Sequence, residues 1–370
     1  ASAATAHGQD HQMEWTTLVS FVKNNRHTRV QEASLRCMGR TLKHLLSARD
    51  AQKEGQRAAA DDWILLITKH SEPSCPSSGR LAVCDALQAS TLLDRLPATS
   101  VCCDKRTLLK TWLVALRLME DEDQEIRAEA AGMAARGMAT SAGASDASGA
   151  VQEQQVMASV FSHLTEHFGD SSDYHEYLLR CVAGEEGMTE LASCDIAHSG
   201  HDAHTRLFEK EADNAHTEAL FIGQLAAAQV RQLAQTGVMA QDTAEFWKSK
   251  LVSQLQASNE QLKRLQARSQ WAGGVTNHQD AFQHVFRILL GLYSLAVSPG
   301  TAGMGEGVQA QLKTALTVLT QFPLNPLIGN MLLRVFQEYS GNGQSEIVDD
   351  LQSSLGGAYD AHFKPTFLLA

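Results

Sequence analysis

The sequence predicts an all-α protein, a HEAT- or armadillo-type α-solenoid of stacked antiparallel helix pairs. Good helix formers such as Ala, Leu, Gln, Glu and Arg dominate the long segments, and alternating runs of β-branched and aromatic residues are missing. Apolar residues recur at helical spacing within these segments. The segments also come in pairs joined by short turns. Successive pairs begin about forty-odd residues apart, the period expected for these repeats.

The first helix pair is predicted within residues 14–45. Its first apolar stripe comprises Trp15, Leu18, Phe21 and Val22. After a polar break, a second stripe comprises Val30, Ala33, Leu35, Met38, Leu42 and Leu45. Two amphipathic helices joined by so short a turn should pack antiparallel, and each pair needs neighbours to bury its apolar faces.

Two further pairs follow. In the pair within residues 62–93, Pro73 and Pro76 separate the helices. The pair within residues 107–138 turns at the acidic sequence EDEDQE. Asp121 and Asp123 in that turn can cap the second helix, and Arg127 is placed to reach back to an acid in the turn.

We divide the chain into five parts. Residues 1–13 form a polar N-terminal tail, and residues 14–138 form HEAT-like repeats. Residues 139–150, ATSAGASDASGA, form an Ala/Gly/Ser-rich linker or loop. Further helical repeats occupy residues 151–340, and a C-terminal helix and tail occupy residues 341–370.

Composition excludes some classes of protein. The formal net charge of −11 argues against a strongly basic nucleic-acid-binding domain, although a local basic face can still contact phosphates. Seven cysteines without a CxxC pair indicate reduced thiols, and we expect a cytoplasmic protein. The longest apolar stretch, residues 288–297, is too short to cross a bilayer, so no membrane span is expected.

The sequence contains little that indicates catalysis. Neither a GxSxG elbow nor an HExxH motif is present, so we identify no catalytic residue and expect no enzyme. The glycine-rich residues 300–307 lack the GK[ST] of a phosphate loop, and we expect no cofactor. A weak metal candidate consists of Cys194, His198, His201 and His204. Its C-x3-H-x2-H-x2-H spacing could hold zinc but matches no standard template, and a solvated loop is the favoured interpretation.

Basic residues are concentrated on one predicted helix. Arg29, Arg36, Arg40 and Lys43 follow one another at offsets of seven, four and three, so they share one side. The favoured interpretation is a solvated repeat surface, and the functional one is a phosphate-contacting stripe for RNA. The same two interpretations apply to a second cluster, made of Lys248, Lys250, Lys263, Arg264 and Arg268.

Three segments resemble the C-terminal region of the THADA family, the thyroid adenoma-associated proteins and their fungal and plant relatives. They are LMEDEDQEIRAEAAGMA at 118–134, FSHLTEHFGDSSDYHEYLLRCVAG at 161–184 and LFEKEADNAHTEAL at 207–220. The third is the most specific because it is similar to the acidic-aromatic box of that family. The residues that carry this similarity are Leu207, Phe208, Glu209, Lys210, Glu211, Asn214 and Glu218.

The resemblance implies an α-solenoid without enzymatic activity of its own. Members of the family are the non-catalytic partners of an FtsJ-like methyltransferase, which methylates ribose 2′-hydroxyls in the tRNA anticodon loop. The resemblance therefore implies a scaffold that holds this methyltransferase and tRNA together. The alternative, from the fold alone, is a general HEAT-repeat protein–protein adaptor for transport, tubulin folding or membrane-pump regulation, with no role in RNA.

Overall fold

The computed structural model describes residues 2–47, 53–96, 103–141, 153–183, 210–267, 279–298, 304–322 and 326–340. These ranges contain thirteen α-helices and no strand, which confirms the all-helical prediction for them. The chain divides into two compact units, Ala1–Phe168 and Gly169–Ala370. Within the described ranges, no helix combines the length and the apolar character that a bilayer-spanning segment needs.

The first unit contains seven described helices in two layers. They are α1 (Ser2–Asn24), α2 (Thr28–Ser47), α3 (Lys53–His70), α4 (Ser77–Ser90), α5 (Lys105–Met119), α6 (Gln124–Ser141) and α7 (Glu153–Phe168). In one layer α3 contacts α1 and α5, and α5 contacts α7. In the other, which we call the second-helix layer, α4 contacts α2 and α6. Within the pairs, α1 packs against α2, α3 against α4 and α5 against α6, an arrangement consistent with an α-solenoid.

One structural position recurs in the second-helix layer. This position is the fourth residue of the helix, and it is occupied by Gln31, Arg80 and Arg127. Each side chain donates hydrogen bonds to backbone carbonyl groups at the turn that precedes its helix. The acceptors are Val22 and Asn25 for Gln31, Pro73 and Cys75 for Arg80, and Asp121 and Glu122 for Arg127. The three residues are 49 and 47 positions apart. The repeat therefore holds its turns with one recurring contact.

The core of the first unit is built on large side chains. Trp15, Trp63 and Trp112 are at most 2% exposed, and the indole of Trp63 donates to the Thr111 hydroxyl at 3.3 Å. Three residues of the predicted apolar stripes, Phe21, Val30 and Ala33, are exposed and are not part of this core. Phe21 is 44% exposed and Val30 is 37% exposed, because they lie at the border between the buried side and the solvent-facing side of their helices.

In the acidic turn of the third pair, Asp123 caps the second helix as predicted, whereas Asp121 binds an amide of the turn. Asp123 accepts a hydrogen bond from the Glu125 amide, and Asp121 accepts one from the Asp123 amide, both at 2.9 Å. Arg127 reaches back to the turn, but it binds the backbone carbonyls there, and its nearest carboxylate is Glu153 at 3.5 Å. The Asp121 carboxylate instead pairs with a residue of the preceding repeat.

That residue is Arg80, which is 3% exposed. Its Nε lies 2.8 Å from Asp121 Oδ2, and its Nη2 donates to Asp121 Oδ1 at 3.0 Å. Both side chains are about 5% exposed or less. A buried charge pair of this kind links the turns of two consecutive helix pairs.

The second unit contains six described helices, also in two layers. They are α8 (Ser172–Ala183), α9 (Lys210–Gln235), α10 (Gln241–Ala267), α11 (Gln279–Ala296), α12 (Glu306–Leu319) and α13 (Pro326–Ser340). In one layer α10 contacts α8 and α12, and in the other α11 contacts α9 and α13. His175, the fourth residue of α8 and 48 positions after Arg127, has its Nε2 2.6 Å from the Gly169 carbonyl oxygen. The recurring contact of the first unit thus has a counterpart here.

Some boundaries differ from the sequence-based division. The first helix begins at Ser2, within the segment expected to be a polar tail. The third begins at Lys53, nine residues before the predicted pair. The helix α6 extends to Ser141, three residues into the segment 139–150. Residues 142–152 and 341–370 lie outside the described ranges.

Candidate nucleic-acid interface

The four basic residues predicted on one helix all lie on α2, and all four are exposed. The opposite face of α2 carries Leu35, Met38 and Leu42, which are at most 1% exposed. This buried stripe turns the basic side of the helix toward solvent. The prediction that the four cations share an exposed surface is consistent with these positions.

Arg36 has a carboxylate partner on the neighbouring helix. The Nε of Arg36 lies 2.7 Å from Asp85 Oδ2 of α4, and the two side chains are 45% and 51% exposed. An ion pair on the surface contributes little to stability, but it offsets the positive charge of Arg36 toward a ligand. The middle of α2 is therefore less basic than the sequence of α2 suggests.

Sequence reasoning missed two cations close to Lys43. Burial raises the pKa of the half-buried Asp94 carboxyl, which outweighs the opposite effect of the nearby cations Lys43, Arg136 and Arg95. Arg95 follows α4, and Arg136 lies on α6, where its Nη2 is 3.5 Å from Glu129. Three separate segments therefore bring cations to one carboxylate.

Close backbone packing brings these segments together. A Cβ atom on Gly137 would lie 2.9 Å from the carbonyl oxygen of Leu93. Only glycine allows α6 to approach the residues after α4 so closely. Arg136 is therefore held beside the segment that carries Asp94 and Arg95.

An alignment of the repeats on their turn-binding residues would have identified Arg136 as a candidate residue of the basic surface. Arg40 and Arg136 each come nine residues after the recurring turn-binding residue, Gln31 or Arg127. By the same alignment Arg36 and Asp85 are equivalent, five residues after Gln31 and Arg80, and they form the ion pair above. Helical periodicity within one segment contains no such information, because these contacts join consecutive repeats.

The second basic cluster is not one surface. Lys248 is 1% exposed, and burial lowers the pKa of its ammonium group to about 8, an effect that Glu245 partly opposes. Its Nζ lies 5.8 Å from the centre of the Tyr339 ring. Lys250, Lys263 and Arg264 are exposed, and Lys263 pairs with Glu260 at 2.7 Å. Arg268 lies outside the described residues.

The other candidate residues are only partly described. The described residues do not include the metal candidates Cys194, His198, His201 and His204. They also do not include Leu207, Phe208 and Glu209 of the acidic-aromatic box. The helix α9 includes the other four residues of that box, Lys210, Glu211, Asn214 and Glu218. Across the described ranges, no group of three or more His, Cys, Asp or Glu side chains is arranged to hold a metal ion.

A cleft of about 280 Å³ lies between α12 and α13 in the second unit. Leu312, Leu316 and Phe336 supply its apolar lining, and Glu306 and Lys313 supply charges. The Tyr339 hydroxyl donates to the Leu292 carbonyl oxygen at 2.9 Å, and the Gln309 amide donates to the Tyr339 carbonyl oxygen at 2.6 Å. These polar groups bind the protein itself, so the cleft offers mainly an apolar contact surface.

Comparison with known proteins gives no match to a family model, to a curated protein or to a solved structure. The features that bear on function are therefore the layered helix pairs and the cations on α2 and its neighbours.

Proposed function

We propose that this chain is a non-catalytic scaffold subunit that supports ribose 2′-O-methylation in the tRNA anticodon loop by an FtsJ-like methyltransferase partner. The observation that carries the proposal is the resemblance of three segments, in order, to the C-terminal region of the THADA family. Of these, the acidic-aromatic box at 207–220 is the most specific. The proposal includes a HEAT- or armadillo-type repeat, a cytoplasmic location and the absence of enzymatic activity in the chain itself.

Two structural features support this proposal. Stacked helix pairs present long surfaces on which two macromolecules can bind side by side, as other helical repeat proteins do. Exposed cations on α2 and nearby segments offer contacts to phosphate groups. These features support binding, and the identity of the partner rests on the resemblance.

Affinity purification of the native full-length protein, followed by mass spectrometry, tests the proposal. We expect an FtsJ-like methyltransferase among the strongest partners. The purified pair should methylate a tRNA transcript faster than the methyltransferase alone. A methyltransferase that neither copurifies with the chain nor responds to it in that assay would refute the proposal.

A general protein–protein adaptor is the second candidate, and exposed apolar residues favour it. Met13 is 69% exposed and Phe21 44% exposed on α1, and Leu65 is 56% exposed on α3. The ion pair between Lys23 and Asp62, at 2.7 Å, joins these two helices. Large apolar side chains on a surface are suited to protein contact. Transport or cytoskeletal proteins in the same purification, with no methyltransferase, would select this candidate.

A further inference from the structure

Four cations of the second-helix layer lie toward the C-terminal ends of its helices. Arg40 and Lys43 lie in the C-terminal half of α2, Arg136 lies in the C-terminal half of α6, and Arg95 follows α4. We call these four residues the basic edge. They belong to three successive repeats, and no single helix contains them all.

The register of α2 and α4 supports this placement. Glu32 accepts a hydrogen bond from Ser78, and Arg36 pairs with Asp85. Residue numbers rise together along the two helices, so α2 and α4 run in the same direction. Gly137 against Leu93 then places the C-terminal half of α6 beside the end of α4. The basic edge is therefore one continuous strip.

Stabilisation of helix ends does not explain these cations. A basic side chain in the last turn of a helix offsets the negative end of its dipole. The last turn of α2 has only His44, and the last turn of α6 has no basic residue. Lys43 and Arg136 lie before those turns. Their position calls for a different explanation.

Charge at the edge has the opposite sign to the whole chain. The nearby described carboxylates are Asp94, which is half-buried, and Glu129, which is 3.5 Å from Arg136. The cations of the edge outnumber these two described carboxylates, whereas the whole chain carries −11. Arg40 is exposed and forms no ion pair with a described carboxylate. Such an excess persists only at a cost in self-repulsion, which an anionic ligand would relieve.

The length and the composition of the edge indicate which kind of anion it can bind. Neighbouring helices pack 8–10 Å apart, so a strip across three helices is roughly 20 Å long, suited to a row of phosphates. The exposed large apolar residues of the first unit are elsewhere, at Met13, Phe21, Val30 and Leu65. Beside Lys43, the exposed His44 ring stacks on His11 of α1 with 5.4 Å between the ring centres, so one aromatic surface suited to base stacking borders the edge. The described part of the edge has no large exposed apolar residue for membrane insertion.

We infer that the basic edge binds the sugar–phosphate backbone of structured RNA and does not read its sequence. Arg40 and Arg136 are the principal contacts, because both are exposed and they lie on the two outer helices of the strip, α2 and α6. The inference rests on the proposed function for the choice of tRNA as the RNA.

The test compares two charge-reversed variants of the full chain. Arg40→Glu/Arg136→Glu alters the edge, and Arg57→Glu/Arg180→Glu alters two exposed arginines that belong to neither basic cluster as the matched control. Both variants change the net charge by the same amount, so they differ only in where the charge changes. Binding of an unmodified tRNA transcript is measured by fluorescence anisotropy over a range of salt concentrations. Arg40→Gln/Arg136→Gln is measured as well, in case charge reversal perturbs folding, and circular dichroism checks the helical content.

We expect the edge variant to bind tRNA about tenfold or more weakly at 0.1 M salt, with the control close to the native chain. The slope of log affinity against log salt should fall in magnitude by about one to two for the edge variant. A second tRNA of unrelated sequence should be affected equally. The glutamine variant should show a smaller loss in the same direction.

Three results would overturn the inference. They are no tRNA binding by the native chain, an edge variant that binds as the control does, or an edge that binds phosphatidylserine vesicles and not RNA. These outcomes are separate from those of the proposed function. If a methyltransferase copurifies while the edge variant binds tRNA normally, the inference fails and the proposed function stands. If the edge binds tRNA but no methyltransferase is found, the inference stands without that function.

Discussion

At the scale of single residues, two charged side chains with similar partners have very different surroundings. Arg80 and Arg36 each pair with an aspartate of a neighbouring repeat segment, at 2.8 and 2.7 Å. The first pair is about 5% exposed or less, whereas the second is about half exposed. Water screens the exposed pair, but a buried carboxylate left without its cation retains its full desolvation cost.

We therefore predict that Arg80→Met lowers the free energy of unfolding by about 3–5 kcal/mol. Arg36→Ala should change it by less than about 1 kcal/mol. The double variant Arg80→Met/Asp121→Asn should recover part of the loss, because it removes the uncompensated charge. Urea unfolding followed by circular dichroism measures all three. Equal effects of Arg80→Met and Arg36→Ala would contradict the assignment of Arg80 as a buried partner.

A buried histidine predicts sensitivity to acid. His284 is 5% exposed, and burial followed by the nearby Arg287 lowers the pKa of its imidazole to about 4. Its Nε2 has no hydrogen-bond partner among the described residues. The folded state therefore favours neutral His284. Its contribution to stability is complete above about pH 6.5 and is lost as the pH falls from 6.5 toward 4.

We predict that His284→Leu removes this part of the acid sensitivity, at most about 3 kcal/mol between pH 6.5 and 4. Free energies of unfolding of the native chain and the variant are compared at several pH values across this window. The variant should gain stability relative to the native chain as the pH falls. A difference between the two proteins that stays constant with pH would show that His284 titrates alike in the folded and unfolded states.

At the scale of helices, close packing between α2 and α4 depends on one glycine. A Cβ atom on Gly39 would lie 2.2 Å from the backbone oxygen of Ala86. Backbone atoms cannot move aside as a flexible side chain can, so the two helices would have to separate. On Gly132 of α6, by contrast, the nearest atom to an added Cβ is Arg136 Nη1, at 3.4 Å.

Gly39→Ala should therefore lower the free energy of unfolding by about 2–3 kcal/mol or more, through overpacking. Gly132→Ala should leave it unchanged or raise it by about 0.5–1 kcal/mol, because alanine is the better helix former. Thermal or urea unfolding of the two variants gives the comparison directly. Similar changes in both would mean that α2 and α4 can separate without cost.

Helix periodicity predicted most elements but not the contacts between repeats. The segments that form α5 and α6 were identified within a few residues, because their apolar stripes are local patterns. The neutralisation of Arg36 by Asp85 and the burial of Lys248 depend on the neighbouring helices. Such contacts join residues that are far apart in the sequence, and the local pattern does not contain them.

At the scale of the whole molecule, the layered pairs imply that stability is shared between neighbours. In a stacked array each helix pair contacts only the pairs beside it, and stability is approximately a sum of such terms. Within the first unit, α4 contacts α2 and α6, whereas α7 contacts α5 and α6. A defect at the α2–α4 contact should therefore lower local stability less and less with distance along the array.

We predict such a gradient for Gly39→Ala within the first unit. Amide hydrogen exchange, measured by mass spectrometry on peptides, should accelerate most in α2 and α4, less in α5 and α6, and least in α7. Gly132→Ala should produce no such gradient from α2, which controls for the effect of adding a methyl group to a helix. The reason is that each intact interface still protects the helices beyond it. Equal acceleration from α1 to α7 would instead show that the first unit unfolds as one cooperative core, and a repeat array would then be the wrong description of it.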